Sequence, residues 1–234
     1  MGATVSGPAL PALLARGLAE IGVSLGVKAI QQLLAYAAEV ARWRERVNIT
    51  GFREPEQIIR EGILRSLRLL PLLPKGDRIS LADVGSGAGF PGIPLKVARP
   101  DLRVTLIEAS RRRASFLLHS IRLLGLDGIS CLRGRVEVLR DDPAILGSFD
   151  VVAARALAPL PEAIALLIPL LAPMGYLLLL QGKRKEPPSG APPQTLLPIE
   201  FTTIPGTSLL PEDTVAVIKR LDVSRETYRA SVRP

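Results

Sequence analysis

The chain of 234 residues holds one cysteine and one histidine. With Cys131 alone, no disulfide can close within the chain and no cysteine-based zinc site can assemble, so a reducing compartment suits it. Aromatic residues make up only 4%, which leaves the core to aliphatic side chains. Near the N-terminus no basic start leads into a clean apolar segment and a small-residue cleavage site, because Glu20 and Lys28 interrupt the run; no signal peptide is read there. The opening "MGATVS" meets the loose myristoylation pattern through Gly2 and Ser6, a pattern common by chance and supported by nothing else in the chain. One uncharged stretch, residues 163–180, is long enough to raise a membrane span. Pro169, Pro173 and Gly175 divide it, and it is read as a helix ending near Pro173 followed by a buried strand.

What the chain has in excess is arginine: 24 Arg against 6 Lys, with a formal net charge of +8. The planar guanidinium fork suits phosphate oxygens, so a polyanionic partner fits the composition, although a GC-rich genome yields the same bias. At this length a substantial core can form, and charged residues at 22% exclude general disorder.

From Lys28 to Val47 the positions Ile30, Leu33, Leu34, Ala37, Val40, Ala41, Trp43 and Val47 recur at helical spacing, with Arg42, Arg44 and Arg46 on the opposite face. A second helix is expected over "PEQIIREGILRSLRLLPLL", with Pro55 in its first turn and Pro71 near its end. Residues 1–75 therefore read as a helical region and residues 76–234 as a separate domain of mixed strands and helices. There, short apolar runs at 79–84, 103–108, 129–133, 149–154 and 176–181 alternate with helical segments. That order predicts an α/β fold with a largely parallel, doubly wound sheet. Residues 182–194, "GKRKEPPSGAPPQ", are basic and proline-rich and read as a loop; two last strands near 196–204 and 213–220 are placed to pair antiparallel.

In such a sheet a ligand sits beyond the carboxyl ends of the strands, so the first strand-to-helix turn matters most. It reads Asp83-Val84-Gly85-Ser86-Gly87-Ala88-Gly89-Phe90. Alternating glycines allow positive φ and a close approach of backbone to ligand. The dinucleotide fingerprint G-x-G-x-x-G is met by Gly87, Gly89 and Gly92, which leaves a nicotinamide-dependent oxidoreductase as a competing reading. Its register is poor, since it starts three residues after the strand end and puts Pro91 at the helix start. Asp83 at the strand end suits a ligand with positive charge better than a pyrophosphate. Glu108, ending the second strand, is placed to accept hydrogen bonds from ribose hydroxyls. An adenosine compound with a cationic, phosphate-free end, such as S-adenosylmethionine, accounts for both acids and requires no metal.

The run "DVGSGAGFPGIPLK", with "RPD", "EAS", "GRVE" and "ARALAPL" following and "WRERVNITGFREPEQI" preceding, resembles the ribosomal RNA small-subunit methyltransferase G family, also called GidB. The resemblance covers most of residues 30–182. It implies a Rossmann-like methyltransferase sheet with an N-terminal helical extension, S-adenosylmethionine as methyl donor, and a guanine N7 of bacterial 16S ribosomal RNA as acceptor. It also implies cofactor contacts at Gly85, Gly87, Gly89 and Phe90, at Glu108, Ala109 and Ser110, at Val136 and Glu137, and at Arg155. Phe90 is expected to pack on the cofactor and Glu137 or its amide to read the adenine edge. Arg135 and Arg155 fall where a cation holds RNA phosphate or the cofactor carboxylate, and Lys183 and Arg184 add charge for RNA. The implied setting is cytoplasmic, with 16S RNA or the small subunit as partner, no membrane, and a monomer. The chain departs from the family's His-x-x-Asp-Ser pattern, having Gly62, Arg65 and Ser66 there, and has Gln181-Gly182 where a Lys-Gly is usual.

No catalytic residue is assigned. Guanine N7 offers an in-plane lone pair and no proton, so no general base is needed and transfer depends on alignment and field. Ala154-Arg155-Ala156-Leu157 stands where methyltransferases of exocyclic amines carry an Asn-Pro-Pro-Tyr-like motif. Cys131 falls in a strand pattern, which disfavours cysteine-dependent carbon methylation, and His119 falls mid-helix. A third reading keeps the fold as an RNA-binding module without turnover.

Overall fold

The computed structural model describes residues 9–155, 157–182 and 199–220. Among them seven strands form one sheet, in the order β3-β2-β1-β4-β5-β7-β6. The five runs read as parallel strands are β1 (Ser80–Val84), β2 (Arg103–Glu108), β3 (Ile129–Arg133), β4 (Phe149–Arg155) and β5 (Leu171–Gly182). The two last strands, β6 (Ile199–Ile204) and β7 (Asp213–Lys219), are antiparallel, β7 lying between β5 and β6. The chain steps from β1 outward to β2 and β3, then returns to the other side of β1 for β4. The strand order therefore reverses between β1 and β4, where an open α/β sheet places its ligand crevice.

Strand alternation divides the core into two. Leu81, Val151, Ala153, Leu178 and Leu180 face one side; Ala82, Val84, Val152, Ala154, Leu177 and Leu179 face the other. The first side carries α5 (Gly92–Ala98) and α6 (Arg111–Leu124), the second α7 (Val136–Leu139) and α8 (Leu160–Leu167). Over the first side lie α1 (Ala9–Glu20) and α2 (Val27–Arg44), whose buried Leu14, Leu33, Tyr36 and Val40 join the same apolar cluster as the sheet residues. The helical layer and that face of the sheet thus share one core.

The expected helix over residues 55–73 is not uniform. α3 (Pro55–Gln57) passes into a π-helical stretch, Ile58–Leu64, then α4 (Arg65–Leu67) and a 3-10 turn, Leu70–Leu72. The reason lies in packing: Gly62 sits in the wide turn against the Phe90 ring, and a Cβ there would lie 2.5 Å from Phe90 Cζ. The apolar stretch at 163–180 also divides earlier than expected. α8 stops at Leu167, a 3-10 turn spans Ile168–Leu170 around Pro169, and β5 begins at Leu171 instead of after Pro173. Between the pairs Leu171–Phe149 and Tyr176–Val151 the strand loops out, with Met174 at φ +62°. No described helix is long and apolar enough to cross a membrane. The basic loop with Lys183 and Arg184 lies outside the described residues.

Candidate active site

After β1 the backbone turns through Gly85, Gly87 and Gly89, all at positive φ. Gly85 shows why glycine is required. Its φ is +72°, and an added Cβ would come 2.9 Å from Leu157 Cδ1, on the strand-to-helix connection after β4. The turn is fixed from below by Ser86, whose Oγ donates to Asp83 O at 2.7 Å while its carbonyl accepts from Gly89 N at 2.6 Å. At the side, Gly87 N donates to Glu108 Oε2 at 2.9 Å, and Ser110 N donates to the other carboxylate oxygen, Oε1, at 2.8 Å. Glu108 is only 5% exposed. The expectation of a ribose-facing acid therefore acquires a second part: the carboxylate also welds the glycine loop to the start of α6, where Ser110 is the N-cap.

A cavity of about 300 Å³ opens beyond the ends of β1, β2, β3 and β4, at the small end of the range for ligand pockets. Of the residues expected to bind the cofactor, it gathers Gly85, Glu108, Ala109, Val136, Glu137 and Arg155. Arg135, expected to meet RNA, is on its wall. Val84, Ile107, Arg113, Gly134 and Leu157 also line it. These were missed because their positions depend on which connections meet at the crevice; the one legible signal was their adjacency to strand ends. A wider groove of about 440 Å³, with Arg111, Cys131 and Arg133, lies between α6 and the edge strand β3, away from the glycine loop.

Four expected residues lie elsewhere. Phe90 does not line the cavity; it is 7% exposed, with its ring 5.4 Å from that of Tyr36 and 6.0 Å from that of Phe52. Gly87 and Gly89 support the loop from behind, and Tyr36 Oη donates to the Ala88 carbonyl between them. Ser110 acts on the site through its bond to Glu108.

Asp83 corrects the sequence reading. Strand alternation puts its side chain on the helix side, fully buried, with Oδ2 accepting Gly92 N at 2.9 Å. Burial pushes its pKa up to about 7, with the nearby Glu108 charge adding to the rise against the Gly92 and Ser86 hydrogen bonds. It is not a wall of the cavity; the acids that line it are Glu108 and Glu137. The same geometry weakens the dinucleotide reading. A pyrophosphate needs the N–H groups opening the helix after β1, and Asp83 already takes the Gly92 N–H there.

Arg155, at the end of β4, is largely buried and has its guanidinium lowered in pKa by that burial. Its Nη1 donates to the Glu61 carbonyl at 2.5 Å, and its Cζ lies 5.5 Å from the centre of the Phe52 ring. No described carboxylate pairs with it directly. Glu61 and Asp213 are instead engaged by Arg65, and Asp213 also by Arg68. Arg65, one of the departures noted in the sequence, is thus a structural link from the π-helical stretch to β7. His119 lies on α6 outside the cavity, against Trp43 at 5.5 Å between ring centres.

The family model described as rRNA small subunit methyltransferase G matches residues 29–190. The chain belongs to the rRNA small subunit methyltransferase G family. A relative of that name from Sorangium cellulosum is 43% identical over 74% of this chain and 72% of its own. Another, from Roseiflexus sp., is 41% identical over 69% of this chain and 68% of its own. Among solved structures, a SAM dependent methyltransferase from Aquifex aeolicus shares the fold, with TM-score 0.53 and 17% identity, covering 73% of this chain and 97% of that one. For a methyltransferase G, the span of the match is informative. It takes in most of α2, the π-helical stretch, the glycine loop and every residue lining the cavity.

Proposed function

We propose that the protein moves the methyl group of S-adenosylmethionine to N7 of a guanine in 16S ribosomal RNA. The observation that carries this is Glu108: a buried carboxylate at the end of β2, oriented by the Gly87 and Ser110 amides and open to the cavity. Two further lone-pair directions remain on its oxygens for ribose hydroxyls. Val136 and Glu137, after β3, are placed for the adenine, and Gly85 and Arg155 for the amino-acid end. The bare Gly85 gives the backbone clearance that a Cβ would take away. When bound, S-adenosylmethionine supplies a methyl group activated by a sulfonium charge.

The chain's own task is orientation. N7 already carries the attacking lone pair, so what the protein contributes is a fixed line of approach, a dry wall of Val84, Ile107 and Leu157, and the field of Glu108 and Arg155. Residues 1–75 and the basic positions Arg135, Lys183 and Arg184 are proposed to help dock RNA. An enzyme of ribosomal RNA works where ribosomes are built, which makes the cytoplasm its compartment, and the acting form is proposed to be the monomer.

The test is twofold. Calorimetry should find saturable binding of S-adenosylhomocysteine and none of NADH. Mass mapping of ribosomal RNA should find one 7-methylguanosine that disappears from cells lacking the gene. Folded protein that neither binds S-adenosylhomocysteine nor methylates small-subunit RNA would remove the reading.

A further inference from the structure

We infer that the segment Val47–Arg53 is the lip that receives the target guanine, with the Phe52 ring as its stacking platform and Arg46 and Arg53 as contacts for the flanking phosphates. The inference rests on the proposed function, and it adds the part that the cofactor cavity lacks.

The segment is tied to the cavity at two places. On one side, Arg113, a wall residue, donates from Nε to Asn48 O at 3.0 Å. On the other, Phe52 lies beneath the guanidinium of Arg155, also a wall residue. Between these anchors the segment passes close to the glycine loop, where a Cβ on Gly87 would stand 3.5 Å from Ile49 O. Its own conformation is held by buried Ile49, by Phe52 N donating to Thr50 Oγ1 at 3.3 Å, and by Arg44 Nη1 donating to Phe52 O at 2.9 Å. A connection this fixed, joining two cations across the front of the sheet, is more than a linker.

Position then selects the occupant. In the proposed function the adenine end of the cavity is at β3, by Val136 and Glu137, and the reacting end at Gly85 and Arg155, all of which line it. A base that attacks the methyl group must come in at the reacting end, and Phe52 borders that end through Arg155, whose guanidinium overlies its ring. Phe52 is half-buried, its ring 6.0 Å from that of Phe90, which backs it. Bases taken out of RNA stacking are held on aromatic rings and guanidinium planes, and Phe52 and Arg155 supply both, the guanidinium lying over the ring with its Cζ 5.5 Å from the ring centre. Arg46 and Arg53 are exposed at the two ends of the segment. Glu45 and Glu54 neighbour them in the chain, so the footprint is two phosphates and not a broad basic face.

The test compares Phe52→Leu with Phe52→Tyr in full-length protein, using small subunits from cells lacking the gene as substrate. Phe52→Leu keeps apolar bulk against Phe90 and loses the stacking face. It should lower kcat/KM for the RNA by roughly 5- to 100-fold, while affinity for S-adenosylhomocysteine stays within twofold of wild type; Phe52→Tyr should restore most of the loss. Arg46→Gln and Arg53→Gln should each reduce the slope of log affinity against log salt by about one. Unchanged kinetics in Phe52→Leu would overturn the inference, as would equal losses in cofactor affinity and RNA turnover, which mark a packing role. A wild-type protein without cofactor binding or methylation is a separate outcome, and sinks the proposed function instead.

Discussion

Gly87 gives its backbone N–H to Glu108 Oε2 at 2.9 Å, which joins the tip of the glycine loop to the end of the neighbouring strand. Because Ser110 N occupies the other oxygen, this one side chain accepts from two backbone donors at once. Replacing it with glutamine leaves one acceptor and turns an amide NH₂ toward the second donor. Glu108→Gln is therefore expected to cost about 1–3 kcal/mol of stability and to weaken S-adenosylhomocysteine by tenfold or more. Denaturant titration and calorimetry check the pair; a variant with wild-type affinity would show that Glu108 does not hold the ligand.

Asp83 should give stability an unusual pH dependence. Its proton is held more tightly in the folded protein, at about pH 7, than the usual carboxylate range of the unfolded chain. The folded state is thus favoured by protonation, and that advantage fades as pH rises from about 4 to about 7. Asp83→Asn still offers Gly92 an acceptor and cannot ionise. Its stability relative to wild type should improve by roughly 2–4 kcal/mol between pH 4 and pH 8, read from urea midpoints at several pH values. A flat difference would mean that the carboxyl titrates in the folded protein as it does in the unfolded chain.

Asp213 stands between two arginines, with Oδ2 accepting from Arg65 Nε at 2.6 Å and from Arg68 Nη1 at 3.3 Å. Arg68 is 5% exposed and also donates to the carbonyls of Ile204, Pro205 and Pro211. Asp213→Ala strands a buried cation, and a loss of about 3–5 kcal/mol is expected. The double variant with Arg68→Met should be more stable than Asp213→Ala alone, and thermal melts of the three proteins decide it.

Cys131 should be slow to react. Burial, with a smaller contribution from the Glu108 charge, pushes its thiol up to about 11, so thiolate is scarce at neutral pH. Iodoacetamide at pH 7.5 is expected to label the native protein at least about tenfold more slowly than the urea-unfolded chain, followed by mass spectrometry.

Much of this architecture could be read from the chain because it is local. The runs at 103–108 and 129–133 coincide with β2 and β3, where apolar residues sit between clear turn signals. The glycine loop was legible for the same reason: positive φ is a demand that the sequence answers residue by residue. Direction was harder. Asp83 and Phe90 were both expected to face the ligand, yet strand parity turns Asp83 toward α5, and Tyr36, Phe52 and Gly62 enclose Phe90. Neither enclosure is visible without knowing which helix lies overhead. The π-helical turn at Ile58–Leu64 has no local signature either, since the ring that packs on its Gly62 belongs to Phe90, in the loop after β1. Arg65 read as a lost family residue; paired with Asp213 it is a bond across most of the chain.

The Phe90 ring seated on Gly62 carries a mechanical consequence. The turn that shapes the cavity and the helical stretch whose Glu61 carbonyl holds Arg155 interlock like a tooth in a socket. Sliding one past the other would have to lift the Phe90 ring off Gly62. Pressure on the outer helices from a docking ribosomal particle would be felt directly at the reacting end of the crevice.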